Sequence, residues 1–387
     1  MYKNLFRPLL FQLDPERAHH LSLRALRVAV ALPFGERLLQ SAFEVNDPHL
    51  AVEAFGLKFK NRVGLAAGYD KNGIAVRGLG GLGFGHIEIG TITRLPQIGN
   101  PLPRVHRMRE AQGLINSMGF PNAGVEALIE RLKAEGKRMK GSSSSFILQP
   151  LSFQIGINIG KGKDTPVERA AEDYCALLQQ VAPYADYVAI NISSPNTMNL
   201  RQLQAKSFIV ALLGEIAATR LAVGREPRAD SSAAVSSNLA NPPLQTHKST
   251  NLPLLVKIAP DLTESELDDV LDAIVQTGID GVIATNTTLA RAGLPEYAQS
   301  LKGGLSGRPL TTRSTEVIRY IAKRTLGKLP IIGVGGIMTP RDALDKLDAG
   351  ATLVQLYTGL IYAGPGLVRE INCAMQVRGS ALSPVPS

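Results

Sequence analysis

The sequence predicts an α/β fold, a (β/α)8 TIM barrel preceded by a small helical extension. Three observations predict it. Short apolar, β-favouring runs recur along the chain, helix-like segments with start signals separate them, and polar groups and glycines gather just after the runs. Barrels of this kind carry their active sites at the C-terminal ends of the strands, so the third observation also bears on function. The competing architecture is a doubly wound open sheet, but no GxGxxG follows the first strand.

The elements follow in order. Asp14 is placed to cap a helix, with Pro15 at its first position and Glu16 in its first turn. On that helix Arg17, His20, Arg24 and Arg27 form one stripe, and Leu21, Ala25, Val28, Ala29 and Leu32 take the neighbouring face. A wide apolar face with cationic edges suits either an interfacial helix or one packed on the barrel. The expected strands are Val63–Ala66, Ile87–Thr91, Ile155–Ile159, Tyr187–Ile190, Leu254–Ile258, Gly281–Thr285, Ile331–Val334 and Thr352–Leu356. Helices are expected at Pro166–Val181, Glu264–Thr277, Arg313–Arg324 and Pro340–Leu347. Asp164 and Thr165 offer caps before Pro166, and Thr263 with Glu266 makes a capping box.

Each strand end carries chemistry. The first is followed by "AAGYDKNG", the second ends in "IEIGT", the third in "GINIG". The fourth runs into "NISSPNT", a turn rich in uncharged hydrogen-bonding groups. The fifth holds Lys257 inside an otherwise apolar strand, and the sixth ends in "ATNTT". "GVGGI" and "QLYTG" close the last two, the positions where barrels often bind phosphate on backbone amides. A ligand with a phosphate tail and an electron-accepting ring fits this layout, and FMN is the leading candidate. A phosphosugar is the competing fit.

Composition narrows the classes. The 387 residues are 44% hydrophobic, ample for a large core, and the formal charge is +9. That balance could suit nucleic acid or an anionic membrane surface, but no basic block with interleaved aromatics points to nucleic acid. Cys175 and Cys373 are too few for a disulfide framework, and the six histidines form no metal-ligand cluster. No run of about 20 apolar residues predicts a spanning helix, and no cleavable leader is expected.

Taken together, "AAGYDKNG", "IEIGTIT", "NSMGF", "GINIGKGKDTP", "NISSPNT", "VKIAPDLT", "GVIATNTTL", "GGLSGRPL" and "PIIGVGGI", in this order, resemble the quinone-dependent, class 2 dihydroorotate dehydrogenases. The resemblance covers nearly the whole chain, including "YKNLFRPLLFQLDPERAH". It implies oxidation of dihydroorotate to orotate by FMN, one per chain, in de novo pyrimidine synthesis, with a membrane quinone as electron acceptor. It implies FMN contacts at Ala67, Gly68, Tyr69, Asp70, Lys71, Thr91, Asn158, Asn191, Lys257, Thr285, Gly307, Gly336, Tyr357 and Thr358. Substrate contacts are implied at Lys71, Asn116, Ser117, Met118, Gly119, Phe120, Asn191, Asn196, Asn286 and Thr287. Ser194 matches the catalytic base, with Thr197 as its relay partner. Class 1 relatives have cysteine at the Ser194 position, and neither cysteine of this chain lies in that loop. The motif around Ser117 lacks the family's frequent arginine, and Pro121 replaces a frequent asparagine.

The resemblance also implies that residues 1–45 form a membrane-associating, quinone-tunnel segment ahead of an FMN barrel at 46–380. His19 and Arg104 are expected near the tunnel. A monomer at the cytoplasmic face of a bacterial inner membrane is expected. Segments 136–152 and 222–251, rich in Ser, Ala, Asn and Pro, read as flexible surface insertions. The alternatives are a flavin barrel for a 2-hydroxy acid, a non-redox phosphosugar enzyme and a non-catalytic membrane scaffold. The first would want a histidine and an arginine at strand ends, and no such pair is found.

Overall fold

A computed structural model describes residues 2–140, 153–223 and 252–382. The two expected insertions lie, apart from their first residues, outside the described residues.

Eight parallel strands close into a barrel: β1 (Val63–Leu65), β2 (His86–Ile92), β3 (Gln154–Ile159), β4 (Tyr187–Asn191), β5 (Leu254–Ile258), β6 (Gly281–Ala284), β7 (Ile331–Val334) and β8 (Leu353–Leu356). Each pairs with its neighbour in sequence, and β8 pairs with β1, as Val354 aligns with Val63. The strands are short and β-branched, as strands buried on both faces should be. Their side chains alternate between two environments. In β4, Val188 and Ile190 face the helices, and Tyr187 and Ala189 face the barrel interior. A hairpin, Val52–Ala54 paired with Leu57–Phe59, closes the N-terminal end. Its Phe59 joins the interior cluster and meets His86 edge-on at 5.4 Å.

The long helices are α1 (Pro15–Ala31), α2 (Gly35–Phe43), α3 (Val125–Lys140), α4 (Ala170–Val181), α5 (Lys206–Val223), α6 (Glu264–Thr277), α7 (Thr311–Arg324), α8 (Pro340–Asp348) and α9 (Gly366–Leu382). The cap read at Asp14 is present: its Oδ1 accepts from the amides of Glu16 and Arg17 at 3.0 Å. The capping box Thr263–Glu266 is present too, and α8 has a second one, Thr339–Asp342. The start expected at Pro166 differs. A 3-10 turn, Val167–Arg169, precedes α4, and Thr165 Oγ1 donates to Asp173 at 2.7 Å instead of capping. Asp173 also accepts from the Gly162 amide, so the carboxylate organises this loop and the helix begins after it.

Helices α1 and α2 lean on the barrel through the short helix Val76–Gly80. Gly78 is required there: a Cβ would meet the Leu26 carbonyl oxygen at 2.8 Å. The Arg77–Glu36 ion pair ties the same helix to α2. No described helix is long and apolar enough to cross a membrane.

Candidate active site

Inward-facing positions of the upper barrel are polar. They follow from strand parity. Lys257 shares the face of Leu255, Asn191 that of Ala189, Glu88 that of His86, Asn158 that of Gly156 and Gln355 that of Leu353. Glu88 is the hub. Its Oε1 accepts from Asn158 Nδ2 at 2.8 Å and lies 3.8 Å from Lys257 Nζ. Its Oε2 accepts from Gln355 Nε2 at 2.8 Å and from the Tyr187 hydroxyl at 3.3 Å. Above it, Thr91 Oγ1 donates to Asn158 Oδ1 at 2.5 Å, and Asn191 Nδ2 donates to Thr91 Oγ1 at 2.9 Å. Buried carboxylates are stable when paired and fully bonded, and Glu88 has both kinds of partner.

These groups floor a pocket at the C-terminal strand ends. One wall is the loop after β4. Ser194 is buried, its Oγ accepting from the Asn196 amide at 3.2 Å. Asn196 Nδ2 donates to Asn116 Oδ1 at 3.1 Å, and Asn286 Nδ2 donates to Ser193 Oγ at 3.0 Å. The opposite wall is a cradle of uncharged groups: Ser306, Gly307, Gly335, Gly336, Ile337 and Thr358. Gly307 has φ +92°, and a Cβ there would meet the Gln112 carbonyl oxygen at 2.4 Å, so only glycine fits.

Lys71 stands at the rim, donating to the Gly68 carbonyl at 2.7 Å. Burial lowers it to about 8; Glu16 and Asp70 oppose the shift and Arg104 adds to it. Asn196 Oδ1, Thr197 Oγ1 and Gln355 Oε1 are buried with no hydrogen-bond partner among the described residues. Orphans of this kind mark where a ligand belongs.

Most sequence-predicted residues line this pocket: Ala67, Gly68, Lys71, Thr91, Asn116, Met118, Gly119, Phe120, Asn191, Ser194, Asn196, Lys257, Thr285, Asn286, Thr287, Gly307, Gly336, Tyr357 and Thr358. Five do not. Asn158 sits beneath it, in the Glu88 network. Asp70 is buried behind it, accepting from the amides of Ile74 and Ala75 at 2.9 and 2.8 Å; burial raises its carboxyl. Tyr69 turns the other way, edge-on to His19 at 5.0 Å. Ser117 is held through its backbone, its carbonyl accepting from Asn100 Nδ2 at 2.8 Å. The relay partner Thr197 lies outside the lining too, and its buried hydroxyl has no bond to Ser194 or to any other group among the described residues. Glu88 and Gln355 were not singled out from sequence; the signal available was a polar residue within an apolar strand.

A second cavity, of about 380 Å³, lies between α1, α2 and the barrel. It is mostly apolar, with Phe6, Leu10, Ala18, Leu26 and Phe43 among its walls, and it shares Lys71, Met118 and Tyr357 with the first pocket. His19 lines it; burial, with Lys71 and His20 adding, lowers His19 to about 3. Arg107 lines the cavity directly, and Arg104 stands just behind the wall, bonded at 2.5 Å to Glu16, which lines it. Leu21, Val28 and Leu32 of the helical segment stay exposed.

Comparison with known proteins agrees in sequence and in fold. The family model described as Dihydroorotate dehydrogenase matches residues 49–377. A curated protein of Christiangramia forsetii named dihydroorotate dehydrogenase (quinone) is 45% identical over 379 residues, 98% of this chain and all of that one. One of the same name from Yersinia pseudotuberculosis is 48% identical over 374 residues, 96% of this chain and 99% of that one. Among solved structures, ligand-free DHODH from Eimeria tenella superposes with a TM-score of 0.78 at 34% identity, covering 95% of this chain and 96% of that one. The same protein in complex with ferulenol gives 0.77 at 35%, covering 95% and 92%. A polar barrel-mouth pocket walled by the Ser194 loop, and agreement along nearly the full length, lead to one conclusion: the chain belongs to the dihydroorotate dehydrogenase family.

Proposed function

We propose that this chain oxidises dihydroorotate to orotate with bound FMN and delivers the electrons to a membrane quinone. One observation carries the reading. A polar pocket and an apolar cavity adjoin, with Lys71, Met118 and Tyr357 in the wall of both. A water-soluble substrate and a lipid-soluble acceptor need such separate chambers beside one redox group.

The residues fit a flavin. The orphaned acceptors Asn196 Oδ1 and Gln355 Oε1 suit ligands that display imide N–H groups. The glycine cradle suits a phosphate, and Lys257 brings positive charge to the deep end. Bound FMN supplies two-electron redox chemistry that no side chain here provides. Substrate is held by Asn116, Asn196, Asn286 and Thr287, whose amides and hydroxyl match a ring edged with N–H and C=O groups. A site built this way rejects analogues that leave its own groups unpaired.

Ser194 takes the proton from the substrate carbon. A serine is a weak base, so it passes its own proton onward as it accepts one. Thr197 Oγ1, buried and without a partner among the described residues, is the next group of the relay, which a bridging water would complete. Tyr69, His19 and Arg107 stand on the quinone side. Residues 1–45 form the membrane-facing segment and 46–380 the catalytic barrel. The exposure of Leu21, Val28 and Leu32 supports contact with lipid, and the reading is of a monomer held peripherally at the cytoplasmic face of a bacterial inner membrane.

The test is an absorption spectrum of the purified chain, followed by anaerobic addition of dihydroorotate. Loss of the flavin band, restored by a quinone, is expected. A colourless protein, or a flavin band that dihydroorotate leaves unchanged, overturns the reading.

A further inference from the structure

Lys346 of α8 is fully buried, yet it lies outside the pocket and no step above uses it. Its Nζ donates to Ser314 Oγ and, at 3.0 Å, to Thr315 Oγ1, both on α7. These partners are hydroxyls, not carboxylates. Burial lowers the lysine to about 7, while Asp342 and Asp345 on its own helix oppose the shift. A buried ammonium without a bonded carboxylate is costly, and a nearby anion would remove that cost.

The direction of that anion can be read from the bonds. Ser314 Oγ passes the contact on, donating to the Gly335 carbonyl at 3.1 Å. Thr311 Oγ1 donates to the Gly336 carbonyl at 2.7 Å. Both peptides are trans, so each N–H points away from its carbonyl. Carbonyls tied back to α7 therefore turn the amides of Gly336 and Ile337 toward the opposite side, and both residues line the pocket. Donation to a carbonyl also strengthens the N–H of the same peptide. Gly335, at φ +118°, lets the loop pass this close: its Cβ would sit 3.0 Å from Ser314. The cradle itself contains no cation, for Ser306, Gly307, Gly335, Gly336, Ile337 and Thr358 are all uncharged.

We propose that Lys346 is the counter-charge of this cradle, a positioning residue that acts through Ser314 and Gly335. It thereby sets the site's preference for a flavin that carries a terminal phosphate. The proposal rests on the FMN reading above. At the effective dielectric of partly buried charges, one unit charge roughly 6–10 Å from an anion changes affinity by roughly 10- to 100-fold.

The test is equilibrium exchange of bound FMN against added riboflavin in the full-length holoenzyme, read as the flavin content of the washed protein. Lys346→Met is near in volume and uncharged. It should lower the FMN-to-riboflavin affinity ratio by about 10- to 100-fold and leave riboflavin affinity within about two-fold. A merely structural role would weaken both flavins alike, and that result overturns the proposal. So does an unchanged ratio. If circular dichroism shows Lys346→Met unfolded, Ser314→Ala decides: it should lower the ratio at least about three-fold by cutting the link, and an unchanged ratio again overturns the proposal. A wild-type chain with no preference for FMN overturns both this proposal and the choice of FMN as the flavin; a preference that survives in the variants overturns this proposal alone.

Discussion

Lys257 Nζ and Glu88 Oε1 face each other at 3.8 Å across the barrel interior, with side chains 6% and 0% exposed. They come from β5 and β2, strands separated by two others in the barrel order. The charge of one is answered by the other and by the amides around them, so the pair holds a cation at the floor of the pocket. Removing either partner strands the other.

Lys257→Met is therefore expected to do two things. It leaves Glu88 uncompensated, costing about 3–5 kcal/mol of stability, and it lowers FMN retention or the flavin's reduction potential. Adding Glu88→Gln should recover most of the stability and none of the potential. Thermal melts and potentiometric titration separate the two effects. A double variant with wild-type potential would remove Lys257 from the redox account.

Ser194→Ala should slow anaerobic flavin reduction by roughly 10²- to 10⁴-fold with FMN content unchanged. Thr197→Val should slow it less, because water can take over part of a relay. Stopped-flow absorbance measures both. Reduction of the Ser194 variant at near wild-type rate would reassign the base.

His86 carries a pH signature. It is fully buried, neither ring nitrogen has a hydrogen-bond partner among the described residues, and burial lowers its pKa to about 3. The unfolded chain therefore binds the proton near pH 6.5 while the folded chain refuses it. Its contribution is fully present above about pH 6.5 and is lost as the pH falls toward 3, with a slope approaching about 1.4 kcal/mol per pH unit. His86→Phe, which keeps an aromatic against Phe59 and Tyr187, should flatten that slope. Urea unfolding at pH 7, 6 and 5 reads it. Parallel slopes in the two proteins would exclude His86 as the source.

A chain beginning near Asn46 loses one wall of the 380 Å³ cavity and no residue of the polar pocket except through packing. It is expected, once circular dichroism and flavin content show it folded, to be reduced by dihydroorotate. It should fail to pass electrons efficiently to a long-chain quinone and should bind anionic vesicles less well. Equal quinone turnover and equal co-sedimentation would leave the helical segment a packing role only.

The architecture was legible because strands buried on both faces read as short apolar runs and helix starts carry caps: Asp14, Thr263 and Glu266 bond as their spacing required. Most pocket residues were legible as well, since a barrel brings all its strand ends to one rim and no register needs to be known. What each rim residue faces was not legible. Tyr69, Asp70 and Lys71 are consecutive, yet one turns to the apolar cavity, one into the core and one to the rim between the two chambers. A turn's dihedral angles decide that, and neighbouring side chains in a turn diverge. Glu88 was visible as a carboxylate in an apolar strand, but its pairing with Lys257 exists only because eight strands close at one register and set opposite walls within reach. Lys346 shows the same division: its place on a helix follows from local signals, whereas its burial behind Gly335 follows from two helices packing on one strand end, which local sequence does not encode.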